Sequence, residues 1–268
     1  MPVSMEIHHI GIQGGDVTAI KIENPNDDET IRILIDAGGE HGEVTFKPVL
    51  AYISKFFGAE PFDYVIASHY HADHISGFSK CGISFKRQID IGGYKLGNTL
   101  HTPVNPIDTL TESNTVWQRY TNFMDARWRA AKGKDQTNFR VPLPFVDAGN
   151  YKNGKLDTKS AGPFKLNLVP GKVTLTCYCA GGVLANGTNA LRRNVEQRVL
   201  RKLGWEKPTT KQKQILNEMT DDAMKKISPN DLSLAFILDY KDGGKSFRYY
   251  TSGDLSGDLS LRGYPETT

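Results

Sequence analysis

Tyr64-Val-Ile-Ala-Ser-His-Tyr-His-Ala-Asp-His-Ile-Ser-Gly-Phe78 is the stretch on which the reading of this chain turns. The apolar run at 64–67 predicts a short buried strand. It ends at Ser68, and His69, His71, Asp73 and His74 follow within six residues. In extended backbone alternate side chains share a face, so His69, His71 and Asp73 are expected to converge on one point. His74 breaks the alternation, and Ile75-Ser76-Gly77 reads as the turn into a helix. Four ligand-type side chains at a strand's end can hold one metal ion and reach a second. Imidazole combined with carboxylate suits zinc, manganese or iron. The competing reading is a polar loop rich in histidine by chance, and the scarcity of histidine, seven in 268 residues, speaks against it.

Working outward, the composition is ordinary for a globular protein: 38% hydrophobic and 24% charged. The net charge of +3 permits a polyanionic partner without requiring one. No run of 18 apolar residues marks a membrane span. The opening residues 1–9 have neither a basic region nor an apolar core of the signal-peptide kind, which suggests a cytoplasmic protein. Three cysteines, Cys81, Cys177 and Cys179, are too few for a disulfide framework. Cys177 and Cys179 share a face of an expected strand, where core packing outweighs a metal role.

Before the histidine box, residues 7–12 and 17–22 read as a hairpin turned by Gly14-Gly15-Asp16. A polar turn at 23–30 leads to a strand at 31–35 that ends in Asp36-Ala-Gly-Gly. Residues 46–57 carry apolar side chains at helical spacing, with Gly58 as the cap. Residues 87–91 read as a strand closed by Gly92-Gly93. Further on, helices are expected at 111–132, 191–203 and 211–227, the last stopped by Pro229. Strands are expected at 172–179 and within 229–238, and the proline-broken stretch 140–159 reads as loop.

The box H-x-H-x-D-H resembles the signature of the metallo-β-lactamase-fold hydrolases. Gly11-Ile-Gln-Gly-Gly-Asp16, Leu34-Ile-Asp-Ala-Gly38, Pro229-Asn-Asp-Leu-Ser-Leu-Ala-Phe-Ile-Leu238 and Tyr249-Tyr-Thr-Ser-Gly-Asp-Leu255 look like the ComEC-like competence branch of that family. The likeness covers roughly 1–93 and 164–258. It implies an α/β fold, an αββα sandwich, in one domain over 1–268 with a family-variable helical insertion within about 94–228. It also implies two divalent ions, zinc or manganese. His69 and His71 would bind the first, Asp73 and His74 would face the second, and Asp254 would bridge them. Asp73 is in addition the expected catalytic residue. Asn230 and Asp231 fall where many relatives carry a further histidine, and either coordinates or merely forms a turn. Asp36 is either a support that holds the metal loop or a strand-end turn. Asp16 reads as turn, His8, His9 and His41 as structural or exposed, and His101 as a weak candidate.

All seven histidines lie at or before position 101, whereas the family closes its site with a late histidine. The chain is therefore expected to lack the closing elements of the fold, or to borrow them, and to hold one metal more tightly than the other. The chemistry implied is hydrolysis by a metal-activated water. Of the substrates, a phosphodiester such as nucleic acid is favoured over a small ester, lactone or thioester, with a decayed binding domain as the third reading. Residues 189–226 hold ten Lys or Arg against five Asp or Glu, and 117–140 hold six against two, interleaved with aromatics. Basic side chains neutralise phosphates and aromatic faces stack on unpaired bases, although a solvated helix face over a core stripe gives the same pattern.

Overall fold

A computed structural model describes residues 1–12, 14–39, 43–105, 107, 115–157, 159 and 162–255. Strands β1 (Ser4–His9), β2 (Thr18–Asn24) and β3 (Glu29–Ile35) form an antiparallel meander. Helix α1 (Glu43–Phe57) then crosses to β4 (Phe62–Ile66), parallel to β3, and α2 (Ala72–Lys80) crosses to β5 (Phe85–Ile89), parallel to β4. Parallel neighbours need such crossovers, which explains why helical periodicity interrupts the strands here and not earlier. The first sheet has the order β1-β2-β3-β4-β5. Val65 and Ile66 of β4 are buried one after the other, as in a strand covered on both faces.

The middle of the chain holds small pieces: β6 (Lys95–Leu96) paired with β7 (Thr99–Leu100), α3 (Thr115–Ala130), α4 (Lys134–Thr137), and β8 (Tyr151–Lys152) paired with β9 (Lys155–Leu156). A second sheet, all antiparallel, runs β10 (Phe164–Val169), β11 (Val173–Ala180), β13 (Ala235–Asp242), β14 (Lys245–Thr251), with β12 (Val183–Leu184) paired to β11. Between β12 and β13 lie α5 (Ala190–Leu203) and α6 (Thr210–Met224). Asn189 caps α5 by accepting from the Arg192 amide at 2.9 Å, and Gly204 ends it with φ 65°. Leu191, Val195 and Val199, four residues apart, are the face it buries.

The sheets are joined by long-range bonds. The Val3 amide donates to Asp242 at 2.8 Å, the Tyr240 hydroxyl to the Val3 carbonyl at 2.9 Å, and the Leu234 amide to the Ser68 carbonyl at 2.8 Å. Buried side chains of both sheets and of α1, α2, α3 and α5 form one continuous cluster.

Several expectations shift. The helix expected at 111–132 is α3, and 111–114 lie outside the described residues, as does His41. Its aromatics are largely core: Trp117 and Tyr120 are buried, as is Phe139 beyond the helix end. They are spent on packing against Tyr70 and Phe78 rather than offered to solvent. The stretch 140–159, read as loop, also contains a 3-10 turn at Ala148–Asn150 and the β8–β9 hairpin.

Helix α2 lies so close to the segment after β3 that the Gly77 amide donates to the Ala37 carbonyl, and a Cβ at Gly77 would sit 2.3 Å from that oxygen. Alanine is the better helix former, so a loss on substitution measures the close approach alone. Gly77→Ala is predicted to lower the unfolding free energy by about 3 kcal/mol. Urea denaturation checks this, and an unchanged midpoint would contradict the packing.

Candidate metal centre

The site is assembled at the carboxyl ends of β3 and β4. Asp36 follows β3 with φ 59°, a left-handed conformation that aspartate tolerates better than most residues. Its amide donates to the Ile66 carbonyl at 2.8 Å. Its carboxylate accepts from the Ser68 amide at 2.7 Å, from the Ser68 hydroxyl at 2.7 Å, and pairs with His74 Nδ1 at 2.8 Å. With Nδ1 taken, His74 turns Nε2 outward.

Alternation along an extended segment does not organise the box. His71 is the last extended residue (φ −72°, ψ 154°), α2 begins at Ala72, and the amides of His74 and Ile75 both donate to the His71 carbonyl. Asp73 therefore sits in the first helical turn, where a carboxylate meets the positive end of the helix dipole. The side chains that converge are His69 and His74, joined by Asp254: their ligand atoms all lie within 4.8 Å of one another. Asp254 Oδ2 is 3.6 Å from His74 Nε2 and 4.0 Å from His69 Nε2. His71 Nδ1 stands 3.1 Å from His69 Nε2, and Asp73 Oδ2 lies 3.6 Å from His74 Nε2. The His69 and His74 side chains are buried, whereas those of Asp73 and Asp254 are 45% and 38% exposed. Two imidazoles thus form the floor and two carboxylates the rim.

Burial, helped by the neighbouring His74 and His71, pulls the His69 pKa down to about 2, so its ring is neutral and carries a free lone pair. Burial also pulls on His74, but the hydrogen bond to Asp36 and the charges of Asp36, Asp73 and Asp254 outweigh it and raise the value to about 9. Burial pushes the Asp36 carboxyl up against the downward pull of its bonds to His74 and Ser68. Two nitrogens and a carboxylate oxygen at such spacing form a donor set that suits zinc or manganese.

Asp254 arrives from the second sheet. β14 ends at Thr251, and Gly253, with φ 52°, makes the turn. A Cβ there would lie 2.8 Å from Ser68 Oγ and 3.2 Å from Ser233 Oγ, so only glycine brings the carboxylate in. The other candidates are not among the three converging ligands. Asp231 accepts from the Ser228 amide at 3.2 Å and caps the 3-10 turn Pro229–Leu232. Asn230 Oδ1 and Ser233 Oγ are buried without a hydrogen-bond partner among the described residues. His101 is half-buried near Arg140, Asp90 and Asp147. His8 pairs with the Tyr52 hydroxyl and His9 with Thr18. Exposed Asp16 donates its amide to the Asp73 carbonyl at 3.3 Å. Cys177 and Cys179 are buried in β11.

Sequence reasoning passed over Ser68, which links Asp36 to the box, and Asp90. The only signal for Asp90 was positional: it follows β5 as Asp36 follows β3. Asp90 is fully buried and gathers bonds from Tyr94, Tyr120, Gly92 and Arg140.

Residues 13–80 match the family model of the metallo-beta-lactamase superfamily, a span that includes β2 to α2 and the whole histidine box. Among solved structures, the chain is similar to a metallo-beta-lactamase from Hirschia baltica (13% identity, TM-score 0.26, 69% of this chain and 60% of that one). It is also similar to one from Pseudomonas aeruginosa in a mono-zinc form (11%, 0.25, 69% and 58%). A third, from Erythrobacter litoralis with beta-mercaptoethanol in its active site, gives 13%, 0.25, 69% and 60%. The match thus spans about 60% of the length of those structures. No curated protein gives a significant match. The α/β class expected from the sequence, with a metallo-β-lactamase-like sandwich, agrees with the two sheets and the helices between their strands, and with the matched span.

Asp36→Asn tests the support of the site. Asparagine also tolerates the positive φ, so the change isolates the hydrogen bonds. The metal-free variant is predicted to fold with its unfolding free energy lowered by about 1.5 kcal/mol, read by chemical denaturation. No loss would mean that the three bonds to Ser68 and His74 contribute nothing.

Proposed function

We propose that this chain is a metal-dependent hydrolase that uses a metal-activated water, and that its substrate is a phosphodiester. The observation that carries the reading is the convergence of His69, His74 and Asp254 at the strand ends, with His71 and Asp73 beside them. His69, His71, His74 and Asp254 would hold a zinc or manganese ion, and Asn230, with its buried unpartnered oxygen, is the further oxygen donor we assign. When bound, the cation lowers the pKa of water and offsets charge on the attacked group.

The chain's own residues supply the rest. Asp36 fixes the His74 tautomer and orientation through Nδ1, as carboxylates behind ligating histidines do. Asp73 is on the rim, 45% exposed, where its carboxylate can orient the attacking water and accept its proton. The buried floor of His69 and His74 limits water to the open side.

Support for a phosphodiester comes from the likeness to the ComEC-like branch and from the basic helix pair. Arg193, Arg201 and Lys202 of α5 and Lys211 and Lys213 of α6 are exposed. Arg192 and Lys225 are engaged with Asp221 at 2.6 Å and Asp222 at 3.0 Å. The aromatics of α3 add little to this reading, since Trp117 and Tyr120 are core. The phosphate term, not base stacking, therefore carries it.

The test is a panel of bis-p-nitrophenyl phosphate, single-stranded DNA and lactones, with the protein stripped and reloaded with zinc or manganese. Cleavage of the diesters is expected. Turnover of lactones alone would move the substrate to small esters, and silence on all would leave a binding domain. Asp73→Ala should cut diester hydrolysis by about a thousandfold with the circular dichroism spectrum unchanged. An active variant would remove Asp73 from the chemistry. Because three donors cluster tightly, elemental analysis should find close to one metal per chain after dialysis. Two tightly held ions would mean that a residue beyond those assigned, such as Asp231 or His101, also coordinates.

A further inference from the structure

Tyr70 lies between His69 and His71 of the box and is 1% exposed. Its ring is packed against Trp117 and Tyr120 of α3, with centroids 4.4 and 5.5 Å away. Its hydroxyl donates to the Gly92 carbonyl at 2.8 Å. Gly92, at φ 80°, is in turn fixed by its amide, which donates to Asp90 Oδ1 at 3.1 Å. Asp90 accepts from the Tyr120 hydroxyl at 2.9 Å and from Tyr94, and Arg140 approaches it at 3.4 Å while reaching Asp147 at the same distance. Tyr70 is therefore gripped on its faces by α3 and at its tip by the turn after β5.

This grip has a mechanical consequence. Residues 67–71 belong to no helix or strand. A side chain directed into the core between two neighbours that serve the site fixes how those neighbours are presented. If Tyr70 turned, the backbone carrying the His69 and His71 imidazoles would turn with it. Helix α3 matched no motif in the sequence, and it is the element that supplies the wall.

We infer that Tyr70 is the positioning residue of the His69 and His71 pair, and that α3 holds the metal loop in place through Trp117. The inference rests on the metal reading of those histidines, but part of its test needs no metal. In the metal-free chain, hydrogen exchange at residues 67–75 reads loop order directly. Tyr70→Phe keeps the ring and removes the bond to Gly92. It is expected to quicken exchange across 67–75 about fivefold. It should also raise the zinc dissociation constant, measured by chelator competition, about tenfold. Trp117→Leu should act in the same direction. Ile53→Val, a buried change in α1, is the control: it should lower the melting temperature and leave loop exchange and zinc affinity alone. Wild-type exchange and zinc affinity in Tyr70→Phe would overturn the inference. So would losses in Tyr70→Phe and Trp117→Leu no larger than the control shows at equal melting temperature. Quickened exchange in a protein whose wild type binds no zinc would instead keep the positioning role and remove the metal reading.

Discussion

The Asp36 carboxylate is the point on which the site depends. It stands at the end of β3, buried, in a backbone conformation that costs energy for most residues, and its oxygens meet Ser68 twice and His74 once. A buried carboxyl needs partners to offset its desolvation, and here those partners are the start and the end of the histidine box. One side chain thus sets the spacing between the strand end that carries His69 and the helix turn that carries His74. Ser68 relays the same constraint to the second sheet, because its hydroxyl lies against Gly253 and its carbonyl accepts from Leu234.

The two sheets contribute unequally. The first builds a rigid floor: two strand ends and a helix start, all tied by backbone bonds. The second sends in a single carboxylate on a glycine turn. Close packing at the junction is severe on both sides, since a Cβ at Gly38 would fall 1.4 Å from the Asp73 carbonyl and one at Gly253 would collide with Ser68. Gly38 and Gly253 are therefore packing requirements, and Gly253 is a turn former as well.

How much of this was legible in the sequence follows from the range of each interaction. The strands and helices around the box were readable because periodicity is local, and the box was readable because four metal-ligating side chains in six residues rarely occur otherwise. The geometry within the box was not. Alternation predicted that Asp73 would join His69 and His71, but no proline or glycine stops the helix from starting at Ala72, and an aspartate favours a first turn. His74 takes its place by helical rotation. Asp254 was legible only through resemblance, since nothing local ties it to residues far upstream. Tyr70 gave no signal and Asp90 only its place after a strand, because their partners Trp117, Tyr120 and Arg140 are brought to them by tertiary packing alone.

The charge balance of the cluster explains why a cation is the natural completion of it. With its pKa raised to about 9 by Asp36, Asp73 and Asp254, His74 in the metal-free chain is an imidazolium, its Nδ1 proton on Asp36 and its Nε2 proton facing the rim. His69 is neutral because burial leaves it no alternative. The remaining charges are the rim carboxylates, Asp73 and Asp254, each 3.6 Å from His74 Nε2. Two like charges facing the same nitrogen repel each other, and no Lys or Arg ion pair to either is found among the described residues. A divalent ion seated against Nε2 of both histidines would displace the His74 Nε2 proton, leave the Nδ1 bond to Asp36 intact, and set two positive charges against the rim where the proton set one. A monovalent side chain would balance only one. On that electrostatic ground the cluster suits the divalent ion proposed above better than the single charge of a proton.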